Sequence, residues 1–233
     1  MAAAHPFSWF NLVPGVGHEF SHIATVATVS VGLVAVGLYA RKALGAGDVA
    51  VIPEDKVSVR GVFESITEMI ADLADLVIGH HGRKYVPMFA AIFLFVLVNN
   101  FMGFIPGVLP ATENINTTFA LGIFSFIGYN YYGVKEHGLA YFKHFLGPYL
   151  PLFIIMLPIE IISNLLRPLT LGLRLANVMM GDHIVTGVFL DLAPPLAPIP
   201  FFMLGMLVCL IQAFVFTILS MVYVAMATAH EEH

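Results

Sequence analysis

Five long apolar runs divide the chain, and they constrain its fold more than any other feature of the sequence. About 20 apolar residues in a helix are enough to cross a bilayer. Only 11% of the residues are charged, whereas an ordinary soluble domain has about 25%. The pattern predicts an all-α polytopic membrane protein in which 1–233 form one membrane domain, with membrane helices at 24–40, 85–105, 117–133, 149–192 and 201–227.

The same composition excludes several other classes of protein. A water-soluble globule of this length needs far more charge to cover its surface. The net charge of −5 gives no basic surface for nucleic acid, so no nucleic-acid partner is expected. The single cysteine, Cys209, excludes a disulfide scaffold and a Cys-based metal cluster, and we expect no cofactor.

The positions of the basic residues predict the orientation of the helices. Basic loops favour the cytoplasmic side of a membrane, and all but two of the 10 Lys and Arg residues lie in 41–84 and 134–148. These two segments are therefore predicted inner loops. Five crossings then place the N-terminal segment 1–23 outside or at the interface and the C-terminus in the cytoplasm. No basic residue precedes 24–40, which favours a retained helix over a cleaved signal.

Two segments depart from a simple span. Residues 62–78 have apolar side chains at helical spacing and acidic side chains on the other faces, which predicts an amphipathic helix along the cytoplasmic surface or against the bundle. The run 149–192 would be about 66 Å long as one helix, roughly twice the hydrocarbon thickness. We therefore expect the last two membrane helices to be long and steeply tilted, and prolines such as Pro158 and Pro168 supply bending points.

The long run 149–192 also contains five ionisable side chains: Glu160, Arg167, Arg174, Asp182 and His183. Each costs at least about 2.5 kcal/mol at the bilayer centre unless it is paired or hydrated, so five of them suggest a hydrated ion path. Arg167 can snorkel to the inner surface, and the last two can meet water at the outer end. Arg174 has neither option.

Helical spacing isolates Arg174 further. Glu160 lies 14 residues before it, which is about 21 Å along one straight helix, although the two residues share a face. An ion pair between them is therefore excluded within that helix. An arginine that stays charged in an apolar setting calls for a carboxylate from another helix or another subunit.

The residues around Arg174 resemble a known family. Residues 159–183, IEIISNLLRPLTLGLRLANVMMGDH, resemble the core signature of subunit a of bacterial F-type ATP synthase. The C-terminal QAFVFTILSMVYVAMATAHEEH is similar to that family's last helix and tail, and NNFMGFIPG and PATENINTTFAL extend the likeness. The resemblance covers most of 85–233, while 1–84 match mainly in layout.

The resemblance implies a stator subunit of the bacterial inner membrane, with two proton half-channels against the rotating ring of c subunits. Its other partners would be the b subunits of the peripheral stalk, further synthase subunits and the lipid bilayer, and it would have no catalytic site of its own. Arg174 corresponds to the family's essential arginine between the half-channels, and Gln212 to its glutamine partner. Glu160 corresponds to the acidic residue of the inner path, and Asn100 to a polar residue near the outer path.

One stretch departs from the family pattern. The family commonly has an asparagine four residues after its arginine, but Asn177 is at plus three. If this chain lacks one residue relative to the family pattern, Asp182 aligns with the titratable position of the outer half-channel. If the alignment has no gap, His183 aligns with that position. Gly205 on the last helix leaves room for the bulkier side chain, which favours His183. Gly103 stands where some relatives have an acidic residue.

Other functions fit the sequence less well. A secondary ion transporter usually shows inverted repeats around a midplane site, and no second copy of the Arg174 segment occurs. A haem-binding subunit needs several histidines inside spans, and only His183 lies in one. Whether the coupling ion is H⁺ or Na⁺ stays open, because that choice depends on the ring carboxylate.

Overall fold

The computed structural model describes residues 21–43, 59–79, 81–105, 108, 110–138, 141, 153–192 and 198–228. Within them the chain forms six α-helices, which confirms the all-α prediction for this part of the molecule: α1 (Ser21–Ala43), α2 (Val59–Ile78), α3 (Val86–Met102), α4 (Ile115–His137), α5 (Phe153–Leu192) and α6 (Pro198–Thr228). Two short 3-10 helices, Gly82–Tyr85 and Ala111–Glu113, precede α3 and α4.

Each helix corresponds to a predicted segment and differs from it by a few residues at its ends. In the described part of the chain, three helical segments are long and apolar enough to cross a membrane: His22–Lys42, Gly82–Met102 and Ile199–Thr228. The 23-residue α4 and the 40-residue α5 are also long, but they carry polar and charged side chains. The segment 1–23 was predicted to lie outside or at the interface. Residues 1–20 of it are outside the described part of the chain.

Helix α5 is a single helix of 40 residues that contains Pro158 and Pro168. At 1.5 Å per residue it is about 60 Å long. Residues 149–152 of the predicted run lie outside the described residues. The expected length of this element is therefore confirmed for Phe153–Leu192, and the prolines are accommodated within one helix.

The core lies around α6, which contacts α2, α3, α4 and α5. Large aromatic side chains fill it, and Tyr85, Phe89, Tyr129 and Phe216 are all at most 1% exposed. The apolar side of α2 packs onto this core through residues that include the fully buried Ile70. The amphipathic helix is therefore part of the bundle.

Close backbone contact fixes α5 against α4. A Cβ atom at Gly122 would collide with the carbonyl oxygen of Pro168, and one at Gly172 would lie 2.9 Å from that of Thr118. Small residues allow helices in membranes to approach this closely. A 2.9 Å hydrogen bond from the Ser125 hydroxyl to a serine on α6 ties α4 to that helix as well.

Candidate functional site

Three contacts define how α5 runs against α6. The rings of Phe189 and Phe201 stack with centroids 3.8 Å apart, Asp182 faces Gly205, and the sulfur atoms of Met179 and Cys209 are 3.9 Å apart. From one contact to the next, the residue number falls on α5 while it rises on α6, so the two helices are antiparallel. Continuing this register by one turn brings Gln212 to the level of Arg174.

Arg174 lies on an exposed face of α5. No acidic side chain of the described residues lies within ion-pair distance of it, and Glu160 is not its partner, as the helical spacing predicts. Many of the exposed side chains around it are apolar: Leu166 is 48% exposed and Leu173 is 40% exposed. The exposed apolar surface continues on α6 with side chains such as Met203, Leu207 and Ile211. A permanently charged guanidinium therefore stands on a largely apolar surface, on which Thr170 and Asn177 are also exposed.

Gln212 is buried on the inward side of α6, with 6% of its surface exposed. Its side-chain nitrogen Nε2 has no hydrogen-bond partner among the described residues. In that part of the chain no hydrogen bond joins it to Arg174, although the register places both at one level. Asn177 lies on the exposed face beside Arg174.

His183 forms an ion pair that the sequence reasoning missed. Its Nδ1 is 3.1 Å from Oε2 of Glu113, and both side chains are about half-buried. Glu113 ends the 3-10 helix between α3 and α4, and the next residue, Asn114, caps α4 by accepting a hydrogen bond from the Asn116 backbone. On the other side, a Cβ at Gly103 would lie 2.7 Å from Nε2 of His183. The absence of a side chain at Gly103 therefore makes room for the imidazole.

Asp182, not His183, occupies the space at Gly205. A Cβ there would lie 2.6 Å from Oδ2 of Asp182, so the expectation that this glycine accommodates His183 is wrong. Consecutive helical residues point about 100° apart. Asp182 therefore faces α6, while His183 faces α3 and the 3-10 helix.

Polar side chains continue from this end of the bundle towards Gln212. The Asn100 side chain is 1% exposed and donates a 3.3 Å hydrogen bond to the backbone oxygen of Cys209. The side-chain oxygens of Asn99, Asn100 and Thr112 are buried without a partner among the described residues. Buried polar groups of this kind are usually satisfied by water, so this interior region is suited to hydration.

The opposite half of α5 holds its charged residues differently. Glu160, Asn164 and Arg167 follow each other at helical spacing and share a face. The hydroxyl of Tyr129 donates to the side-chain oxygen of Asn164. The guanidinium carbon of Arg167 is 6.0 Å from the ring centroid of Tyr129 and 5.5 Å from that of Tyr223. Two aromatic rings therefore hold Arg167 within the bundle.

The described residues contain no group of three His, Cys, Asp or Glu side chains close enough to hold a metal ion. The arrangement is instead a fixed cation on an apolar surface. A histidine and two carboxylates lie towards one end of α5, and a third carboxylate lies towards the other. Together with the apolar helices, these features define a helical membrane protein with ionisable side chains along its bundle.

Comparison with known proteins identifies the family. Residues 15–225 match the family described as ATP synthase A chain. The protein named ATP synthase subunit a of Bdellovibrio bacteriovorus is 58% identical over 226 residues, which are 97% of this chain and 99% of that protein. The chain belongs to the ATP synthase subunit a family.

More distant relatives agree with this assignment. The ATP synthase subunit a of Citrifermentans bemidjiense is 36% identical over 228 residues, which are 97% of this chain and 98% of that protein. The ATP synthase subunit a 1 of Syntrophotalea carbinolica is 46% identical over 167 residues, 72% of this chain and 71% of the relative. The resemblance seen in the sequence is confirmed, and it associates the chain with ATP synthesis and proton transport in a membrane.

Proposed function

We propose that the chain is the proton-translocating stator subunit of a bacterial F-type ATP synthase. It would cross the cell membrane five times, through α1, α3, α4, α5 and α6, with its N-terminus outside and its C-terminus in the cytoplasm. It would face a ring of c subunits and contact the b subunits of the peripheral stalk. Bond-making chemistry with ATP would belong to other subunits.

The observation that carries this proposal is the position of Arg174. A guanidinium on an apolar surface, with no acidic partner among the described residues, lacks the compensation that a desolvated charge needs. A carboxylate on a moving neighbour would provide it transiently. The fixed positive charge would in turn stabilise the ionised form of that carboxylate and so promote its deprotonation. It would also block direct proton passage along α5.

The ionisable groups on either side of Arg174 supply the two half-channels in this proposal. Asp182 and His183 lie about 12 Å and 14 Å from it along the helix, and Glu160 lies about 21 Å away in the other direction. Asn100 and Gln212 would line the outer half-channel, where buried unpartnered polar atoms favour water. Protons would reach the ring from the outer groups and leave past Glu160.

The test replaces Arg174 in the complete synthase, reconstituted in vesicles. Arg174→Ala should abolish ATP-driven acidification and increase passive proton leak, because the barrier between the half-channels is removed. Arg83→Ala is the matched control: it removes an arginine from an exposed pair with Asp75, and it should pump normally. Normal pumping by Arg174→Ala would refute the proposal, and ATP-driven sodium uptake in place of acidification would identify Na⁺ as the coupling ion.

A further inference from the structure

We propose that Glu113 is a positioning residue of the outer half-channel, which fixes the His183 imidazole so that Nε2 is the atom that binds and releases the translocated proton. This inference rests on the proposed function, and it adds a residue from outside the helices that carry the family signature. In this proposal a proton passes first to His183 and then to Asp182.

In this proposal the contact gives the two ring nitrogens different roles. The Nδ1 atom of His183 is 3.1 Å from the carboxylate of Glu113, and an ionised carboxylate can only accept a hydrogen bond. Nδ1 therefore keeps its proton, and Nε2 is the nitrogen that can change its protonation state. This atom lies beside Gly103, where any side chain would collide with it, since a Cβ there would be 2.7 Å away.

The local structure holds Glu113 in place. Its backbone N–H donates a 3.2 Å hydrogen bond to the Pro110 oxygen, and the Asn114 cap fixes the chain immediately after it. The 3-10 helix that ends at Glu113 packs against α3, α4 and α5. A carboxylate anchored in this way can hold the imidazole in one orientation, which a flexible loop could not do.

Among the described residues, two acidic groups lie near His183. Glu113 contacts it directly, and Asp182, the preceding residue on α5, lies against Gly205. On α6 the nearest titratable group is the thiol of Cys209, which contacts Met179 and the Asn100 backbone. On α1, which also touches the 3-10 helix, the titratable group at that end is His22. Arg174 is about 14 Å away along the helix.

The proposed step moves one proton. A hydronium ion from the outer water gives its proton to Nε2, so that an N–H bond forms, an O–H bond breaks and water remains. The resulting imidazolium is stabilised by the ionised carboxylate of Glu113. The Nε2–H bond then breaks, and the proton passes through water to the carboxylate of Asp182. His183 is then neutral again, with Nδ1 still protonated. The ring needs no rotation between cycles.

The experiment uses the complete synthase in vesicles whose interior corresponds to the outer side of the membrane. The rate of ATP synthesis is measured while the internal pH is varied at fixed external pH and fixed membrane potential. Glu113→Gln keeps an acceptor for Nδ1–H but removes the charge that stabilises the imidazolium. The internal pH at half-maximal rate should therefore fall by about one unit, since an adjacent opposite charge has effects of this size or more.

Two further variants complete the test. Glu136→Gln makes the same change in α4, at a carboxylate that pairs with Lys84, and should leave the half-maximal pH unchanged. His183→Gln removes the proton-binding nitrogen and should lose most of the ATP synthesis, and adding Glu113→Gln to it should lower the residual rate no further, because the effect of Glu113 acts through the imidazole. If Glu113→Gln impairs assembly, Glu113→Asp, which keeps the charge on a shorter side chain, should give a smaller shift in the same direction.

An unchanged profile in Glu113→Gln, or a further loss of rate when Glu113→Gln is added to His183→Gln, would overturn the role of Glu113. Neither result would affect the proposed function, provided that Arg174→Ala still abolishes pumping. Normal pumping by Arg174→Ala would instead refute the function itself. The two failures are therefore distinguishable within one set of vesicles.

Discussion

Two arginines on α5, Arg167 and Arg174, show how differently one helix can hold the same side chain. They are seven residues apart, which is close to two turns, so they project from nearly the same side. The guanidinium of Arg167 lies beside the rings of Tyr129 and Tyr223, which contact each other. Arg174 is exposed, and the described residues offer it no acidic partner.

The two arginines lie at different levels of the neighbouring helix α4. It begins at Ile115 and packs on α5 through Gly122 and Thr118, which contact Pro168 and Gly172. Its first turn therefore lies near the level of Arg174, whereas a later turn supplies Tyr129 to Arg167. The same side chain thus has an aromatic neighbour on α4 at one level and none among the described contacts at the other.

The largest predicted effect is the difference between two variants in which one arginine at a time is replaced by lysine. At position 174, lysine should reduce ATP-driven pumping to background, because its ammonium group can lose its proton in an apolar setting whereas a guanidinium stays charged. At position 167, lysine can still place a cation over the two tyrosine rings and should retain most of the activity. Pumping in reconstituted vesicles measures both. Equal loss at the two positions would contradict the distinction drawn between them.

The contact that brings α4 onto α5 provides a second prediction, for stability. Gly172→Ala adds a methyl group 2.9 Å from the Thr118 oxygen, and overpacking of this kind costs about 1–3 kcal/mol. Gly187→Ala is the matched control on the same helix, since a Cβ there meets nothing within 4 Å. The thermal midpoint of the assembled complex should fall for the first variant alone. A similar thermal midpoint for the two variants would show that α4 and α5 can move apart at this contact without loss of stability.

The smallest predicted effect concerns the two tyrosines around Arg167. Tyr129→Phe keeps the ring but loses the hydrogen bond to Asn164, and a typical intramolecular hydrogen bond contributes about 0.5–1.5 kcal/mol. The hydroxyl of Tyr223 has no hydrogen bond among the described residues, so Tyr223→Phe should change stability very little. Thermal inactivation of pumping compares the two variants. A larger loss in Tyr223→Phe would assign the main support of Arg167 to α6.

The helices could be predicted from the sequence because long apolar runs and clustered charges are local signals. The positions of α4 and α5 were also predicted, although fewer of their residues are apolar and α4 is longer at both ends than the predicted 117–133. Their polar side chains, such as Ser125 and Asn164, make contacts inside the bundle. These contacts explain why polar residues occur in helices of that length.

The site was predicted less completely, because its contacts come from distant parts of the chain. Spacing along α5 was sufficient to separate Arg174 from Glu160. Adjacent positions such as Asp182 and His183 must point in different directions on a helix, but spacing could not say which neighbour each one meets. Glu113 is 70 residues from its partner, and an acidic residue in a connecting segment usually meets water. Its only signal was its place within the PATENINTTFAL stretch that carries the family resemblance.

The length of α5 has one further consequence for Arg174. This residue lies 21 positions after Phe153 and 18 before Leu192, close to the middle of the helix. A long helix adjusts to a thinner or thicker bilayer mainly by changing its tilt, and a rod that pivots about its centre moves least there. The depth of Arg174 would stay nearly constant between lipids of different chain length, while both ends of α5 rise or sink.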